Sequence, residues 1–192
     1  MVEREKKPEW RAIRTVFLDR DGVINEKASE GDYVRRAEDL KLLPGAAGAI
    51  ARLNRAGLWV IVVSNQRGVA LGLYTAEDVR LMEKALASML AAEGAHLDGF
   101  YFCPHDDGAC NCRKPLPGLF QQAKADFPDI EAAESVMIGD SLSDIEFGHA
   151  LGMRTVFIEG PAETQRAGAE RARELADAGA GSLAEAMKYL LV

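Results

Sequence analysis

Five short apolar runs punctuate the chain: Thr15 to Leu18, Trp59 to Val63, Gly99 to Phe102, Val136 to Ile138 and Thr155 to Ile158. They are mostly rich in Val, Ile or Phe, as buried strands are. Helical patterns fill the intervals. Pro44-Gly45 opens one that runs to Ala56 and stops at Gly57, and Thr75 is placed as the N-cap of another that runs to about Glu93 before Gly94. Pro117 opens a third, to about Asp126, and Ser141 or Ser143 caps a fourth that ends near Gly152. Glu163 to Ala178 and Leu183 to Leu191 read as two further, Ala-rich helices. Strands alternating with helices predict an α/β three-layer sandwich around a central parallel sheet. In such a sheet ligands bind beyond the carboxyl ends of the strands.

Polar chemistry collects at those ends. Asp19-Arg20-Asp21-Gly22 follows the first strand, Ser64-Asn65-Gln66 the second, and Gly139-Asp140-Ser141-Leu142-Ser143-Asp144 the fourth, while Lys114 sits in Cys112-Arg113-Lys114-Pro115. Asp-x-Asp-Gly alone is also an ordinary acidic turn. If the backbone stays extended through Asp21, however, residues i and i+2 point to one side, and Asp19 and Asp21 face the same ion or substrate. Asp144 is expected one helical turn beyond Asp140, where it would order a metal's water shell from the same face.

All three cysteines lie within one short stretch, Cys103-Pro104-His105-Asp106-Asp107-Gly108-Ala109-Cys110-Asn111-Cys112. Three thiolates and an imidazole are the ligand set of a closed tetrahedral zinc site, which would be structural because no position stays open for water. A disulfide is the rival reading, weakened by the odd cysteine count and by His105 beside Cys103. His96 and His149 have no such neighbours and read as surface or packing residues.

Composition bounds the rest. The 192 residues suit a single domain, 1–192, with 1–12 as an N-terminal extension and 102–113 as the zinc loop. A net charge of -7 argues against nucleic acid as partner. No apolar run approaches a membrane span and the N-terminus has no secretory apolar core, so a cytoplasmic protein, probing small anions through local cations, is expected. A monomer is expected.

The ordered set of acid pair, hydroxyl, cation and acid pair resembles the four motifs of the haloacid dehalogenase superfamily of phosphotransferases, from about Val16 to Ile158. The Cys-x-His and Cys-x-Cys loop running into Arg-Lys-Pro resembles the branch that holds heptose bisphosphate phosphatases and histidinol-phosphate phosphatases. Asp19-Arg20-Asp21-Gly22-Val23-Ile24-Asn25, Gly31-Asp32-Tyr33-Val34 and Ser64-Asn65-Gln66-Arg67-Gly68-Val69 fit the heptose enzymes better. The resemblance implies a Rossmann-like, capless fold whose specificity lies in loops, here Asn25 to Arg36 and Phe102 to Arg113. It implies Asp19 as nucleophile, Asp21 as acid/base, and Ser64 and Lys114 as phosphate ligands. Mg2+ would be held by Asp19, the Asp21 carbonyl and Asp140, with Asp144 nearby. Substrate contacts would come from Asn65, Gln66, Arg113, Gly31, Asp32 and Tyr33, and the substrate would be a phosphorylated sugar, with the 7-phosphate of D-glycero-D-manno-heptose 1,7-bisphosphate removed. Two alternatives stay open: another small-molecule phosphatase, such as one for histidinol phosphate, and a non-enzymatic zinc-stabilised binding protein. Ser141 stands where some members carry a Lys or Arg, and the segment between Asn25 and Gly31 departs from the heptose enzymes.

Overall fold

Six parallel strands form one sheet in the order β3-β2-β1-β4-β5-β6. They are β1 (Thr15–Leu18), β2 (Trp59–Asn65), β3 (Gly99–Cys103), β4 (Ser135–Gly139), β5 (Arg154–Ile158) and β6 (Ala178–Ala180). The computed structural model describes residues 9–29, 32–160 and 167–191. Five of the strands sit where the apolar runs predict them, within two residues at each end. The helices are α1 (Ala46–Arg55), α2 (Ala76–Ala92), α3 (Gly118–Asp126), α4 (Leu142–Ala150), α5 (Ala169–Leu175) and α6 (Leu183–Leu190).

Alternation along β1 builds the layers. Val16 and Leu18 join a core with α1, α2 and α6, whereas Phe17 joins Ile61, Val63 and Met137 in a second core beneath α3 and Phe147 of α4. Helices therefore cover both faces, and every residue of β1 and β4 is buried. Thr75 caps α2 as expected: its Oγ1 accepts from Asp78 N at 3.1 Å, and Asp78 Oδ2 accepts from Thr75 N at 2.7 Å.

The C-terminal third differs from the expectation. In place of a helix from Glu163 to Ala178, the described part is the short α5 followed by β6; residues 161–166 lie outside the described set. Ala-Gly-Ala has little strand propensity. It joins the sheet because Asp177 accepts from Thr155 N at 2.9 Å and Thr155 Oγ1 at 3.0 Å, which ties the chain to β5 just before the ladder begins. Of the N-terminal extension, residues 1–8 fall outside the described set, but Trp10 stacks on Tyr189 of α6 at 5.2 Å between ring centres. Among the described residues no second sheet or helical unit is inserted between the strands, and no helix is long and apolar enough to cross a membrane.

Candidate active site

Parallel register decides the depth of each functional group. Leu18 pairs with Val62 and with Ile138, so one step further Asp19 lies level with Val63 and Gly139, and its N–H donates to Ile138 O at 3.0 Å. Ser64 and Asp140 each lie one residue beyond that level. Asp19 is thus recessed by roughly one residue rise, ~3.3 Å, between a hydroxyl and a carboxylate that stand forward of it. Three motifs that are distant in sequence meet here as the strand ends require.

Lys114 closes the recess from the side. Its buried ammonium lies 2.9 Å from Asp19 Oδ1, 2.5 Å from Asp144 Oδ1 and 2.6 Å from Val63 O. Burial alone would push the ammonium down, but Asp144 and Asp19 outweigh it and hold the lysine above its ordinary value, charged. Burial pushes the Asp19 carboxyl up to about 7; Lys114 opposes this, while Asp144, Asp140 and Asp21 add to it. Asp21 goes the other way. Burial raises it, but the Arg20 charge and hydrogen bonds from Asn25, Arg20 and Gln66 hold the carboxyl below 3.8.

Arg20, given no role from the sequence, is buried beside the acid pair. Its side chain is 1% exposed, and a single Nη2 donates to Asp21 Oδ1 at 2.9 Å and Oδ2 at 2.8 Å. The residues after β2 extend this network. Gln66 Nε2 donates to Ser64 Oγ at 2.8 Å and Asp21 Oδ2 at 3.2 Å, while its Oε1 accepts from Tyr74 OH at 2.7 Å. Asn65 clamps the Lys114 backbone, Oδ1 accepting from its N–H at 2.9 Å and Nδ2 donating to its carbonyl at 3.0 Å. Both amides are expected on substrate and line the cleft; their hydrogen bonds also hold Ser64, Asp21 and the Lys114 backbone in place.

Asp144 also sits otherwise than expected. Asp140 precedes α4 rather than lying on it, so no shared helical face exists. Asp144 is the third residue of α4, its Oδ2 accepting from Ser141 N at 3.0 Å and Ser141 Oγ at 2.6 Å in a capping box, which turns Oδ1 to Lys114. Even so, Asp19, Asp140 and Asp144 each present a carboxylate oxygen within 4.8 Å of the others. Three buried hard oxygen donors and a raised Asp19 carboxyl fit a small divalent cation such as Mg2+.

These groups open into a cleft of about 340 Å³ that Tyr33, Asp32, Arg67 and Arg113 also line, so both expected specificity loops reach it. Asp32 is mostly committed to Arg35 at 2.6 Å and the Tyr33 N–H at 2.8 Å. Tyr33 meets Tyr74 edge-on at 6.0 Å. Gly31 lies outside the described residues. Arg113 Nε donates to Asp107 Oδ1, while its buried Nη1 has no hydrogen-bond partner among the described residues. Arg67 Nε donates to Asp106 Oδ1 at 2.6 Å. Lys27, from the loop after β1, also lines the cleft and is not singled out from the sequence.

Cys103, His105, Cys110 and Cys112 converge as expected. Sulfur separations are 3.1 Å (Cys103 to Cys112) and 3.4 Å (Cys110 to each of the other two), with His105 Nδ1 3.3 Å from Cys112 and 3.7 Å from Cys103. A disulfide needs about 2.05 Å, whereas four ligands at zinc distances stand about this far apart. Burial pushes the Cys103 and Cys112 thiols up, so three adjacent thiolates need a cation between them. The cluster is welded to the cleft: Cys103 pairs with Asn65 in the β2–β3 ladder, and Cys112 lies two residues before Lys114. His96 and His149 are exposed, as expected.

Comparison with known proteins agrees with this geometry. Residues 111–186 match the HAD-hydrolase-like family. A D-glycero-alpha-D-manno-heptose-1,7-bisphosphate 7-phosphatase of Mycobacterium tuberculosis is 46% identical over 135 residues, 70% of each chain. A D-glycero-beta-D-manno-heptose-1,7-bisphosphate 7-phosphatase of Vibrio cholerae is 35% identical over 184 residues, 92% of this chain and 95% of the relative. The crystal structure of the D,D-heptose 1,7-bisphosphate phosphatase from B. bronchiseptica, complexed with magnesium and phosphate, superposes with a TM-score of 0.79 at 29% identity, covering 93% of this chain and 98% of that one. With strand-end motifs, cysteine cluster and relatives in accord, this chain belongs to the heptose-1,7-bisphosphate 7-phosphatase family of haloacid dehalogenase-like hydrolases and is a phosphatase.

Proposed function

We propose that the enzyme is Mg2+-dependent, works through an aspartyl-phosphate on Asp19, and removes the 7-phosphate of D-glycero-D-manno-heptose 1,7-bisphosphate while retaining the 1-phosphate. The observation that carries the chemistry is the recessed Asp19 between Ser64 and Asp140 with the Lys114 ammonium on its Oδ1. Asp19, Asp140 and the main chain at Asp21 would hold Mg2+, which when bound supplies positive charge against the phosphoryl oxygens. A carboxylate oxygen of Asp19 attacks phosphorus and the ester bond to the sugar oxygen breaks. Lys114 and the Ser64 hydroxyl meet the equatorial oxygens. Asp21, ionised at rest, gains proton affinity as the phosphoryl anion approaches and takes up a proton from solvent; it gives that proton to the leaving alkoxide, then takes one from the water that hydrolyses the aspartyl-phosphate, which frees phosphate and restores the Asp19 carboxylate.

A bisphosphate is favoured over histidinol phosphate because the rim carries two arginines, Arg67 and Arg113, each oriented by an aspartate of the cysteine loop. The four-ligand cluster, read as structural zinc, keeps that loop in place. Phosphate release is to be compared for both anomers of the heptose 1,7-bisphosphate, fructose 1,6-bisphosphate and histidinol phosphate, with Asp19→Asn as the blank. The heptose bisphosphate should give the highest kcat/KM and phosphorus NMR should show the 1-phosphate retained. Release of the anomeric phosphate first, or preference for histidinol phosphate, would overturn the substrate assignment; turnover by Asp19→Asn would overturn the nucleophile.

A further inference from the structure

Lys27 is a cation that the phosphatase chemistry above does not use. Glu26 N donates to Lys41 O at 2.8 Å and Asn25 bridges Leu42, so the chain is pinned immediately before it. From that anchor the Lys27 side chain, 8% exposed, lays its ammonium 2.5 Å from Asp140 Oδ2. Gly22, at φ +88°, makes the approach possible: a Cβ there would stand 2.2 Å from Asp140 Oδ2 and 3.3 Å from Lys27 Cδ.

Four carboxylates at the strand ends meet three buried cations. Arg20 pairs with Asp21, Lys114 with Asp19 and Asp144, and Lys27 with Asp140. An ammonium and a divalent cation want the same Asp140 carboxylate, and they repel each other. Mg2+ demands a short, near-octahedral oxygen shell, whereas a lysine is a single charge on a flexible stem that can swing away.

We propose that Lys27 is the place-holding cation of the metal site: it keeps Asp140 oriented while the metal is absent, is displaced when Mg2+ binds, and so sets the metal affinity from within the chain. This rests on the Mg2+-dependent reading. Losing the ammonium leaves Asp140 buried without its lysine partner in the metal-free protein and removes a competitor from the metal-binding step. The two effects have one direction, tighter Mg2+ binding and a larger gain in stability from it.

The test is calorimetric titration of MgCl2 into the full-length wild type, Lys27→Met and Lys27→Gln without substrate, with zinc content and circular dichroism checked for each. Both variants should bind Mg2+ at least roughly fivefold more tightly, and saturating Mg2+ should raise their Tm more than that of the wild type. The Gln variant keeps a polar head in case Met does not fold. Equal or weaker Mg2+ binding in the folded variants would overturn the role of Lys27 alone. A wild type that binds no Mg2+ would overturn the metal-dependent reading itself.

Discussion

Freed of Mg2+ but not of zinc, the protein should lose stability as pH rises from about 5 to about 8, because of Asp19. Burial first, and then the Asp144, Asp140 and Asp21 charges against the opposing Lys114, push this carboxyl from 3.8 to about 7. The unfolded chain ionises at about 3.9. Between those values the folded protein holds a proton that the unfolded chain has released. The stabilisation is therefore complete below about pH 4 and is lost as pH climbs through about 7. Integrated over about pH 5 to 8, the loss is about 2.5 kcal/mol, roughly 5–10 °C in Tm for a chain of this size. Asp21, held low, and Lys114, held high, keep one charge state in both folded and unfolded chain across that window and add no slope. The assay is urea unfolding at a series of pH values in chelator-free buffer, with the Asp19→Asn protein subtracted to cancel every other group. The difference should fall with pH without Mg2+ and flatten at saturating Mg2+, since a dication on the carboxylate removes the reason to keep the proton. A flat metal-free difference, or a slope that Mg2+ leaves unchanged, would refute the reasoning.

Lys114→Met keeps the volume but strands two buried carboxylates; it should cost about 3–5 kcal/mol in urea unfolding and more than ~100-fold in kcat, and a fully active variant would exclude Lys114 from the chemistry. Elemental analysis of Cys110→Ser should show zinc falling from about one per chain to none, with proteolysis appearing between residues 104 and 113; zinc-free wild type with three freely reactive thiols would contradict the assignment. Arg113→Ala should reduce kcat/KM for a bisphosphate roughly tenfold more than for a simple aryl phosphate, because remote binding energy exists only where a second phosphate does. Equal losses would remove Arg113 from substrate recognition.

What the sequence discloses follows from where each signal resides. Thr15–Leu18 and Ser135–Gly139 announce themselves because a strand buried on both faces is a nearly continuous apolar run, here Val16-Phe17-Leu18 and Val136-Met137-Ile138. Ala178–Ala180 does not, since Asp177 on Thr155, a contact across 22 positions, recruits it. The same division runs through the site. Asp19, Ser64 and Asp140 are legible because the sheet brings strand ends together whatever the loops do, whereas Lys114 reaches them from the loop after β3. Arg20 and Lys27 are invisible beforehand, as a lysine in a polar loop looks solvated until tertiary placement buries it against Asp140. That Asn65 and Gln66 hold the Lys114 backbone and Tyr74 is not legible, because an amide beside a site can face substrate or scaffold and only tertiary placement shows the second contact.

The recess of Asp19 behind Ser64 and Asp140 has an evolutionary corollary. Its depth is set by the ladder between β1, β2 and β4 and not by residues 25–36 or 104–113. Loop exchange between relatives should therefore alter which phosphorylated molecule is admitted without retuning how deeply its phosphoryl group seats. On the proposed reading, substrate choice and chemistry are separable because they lie in different parts of the chain: one in surface loops, the other in main-chain hydrogen bonds of the central ladder.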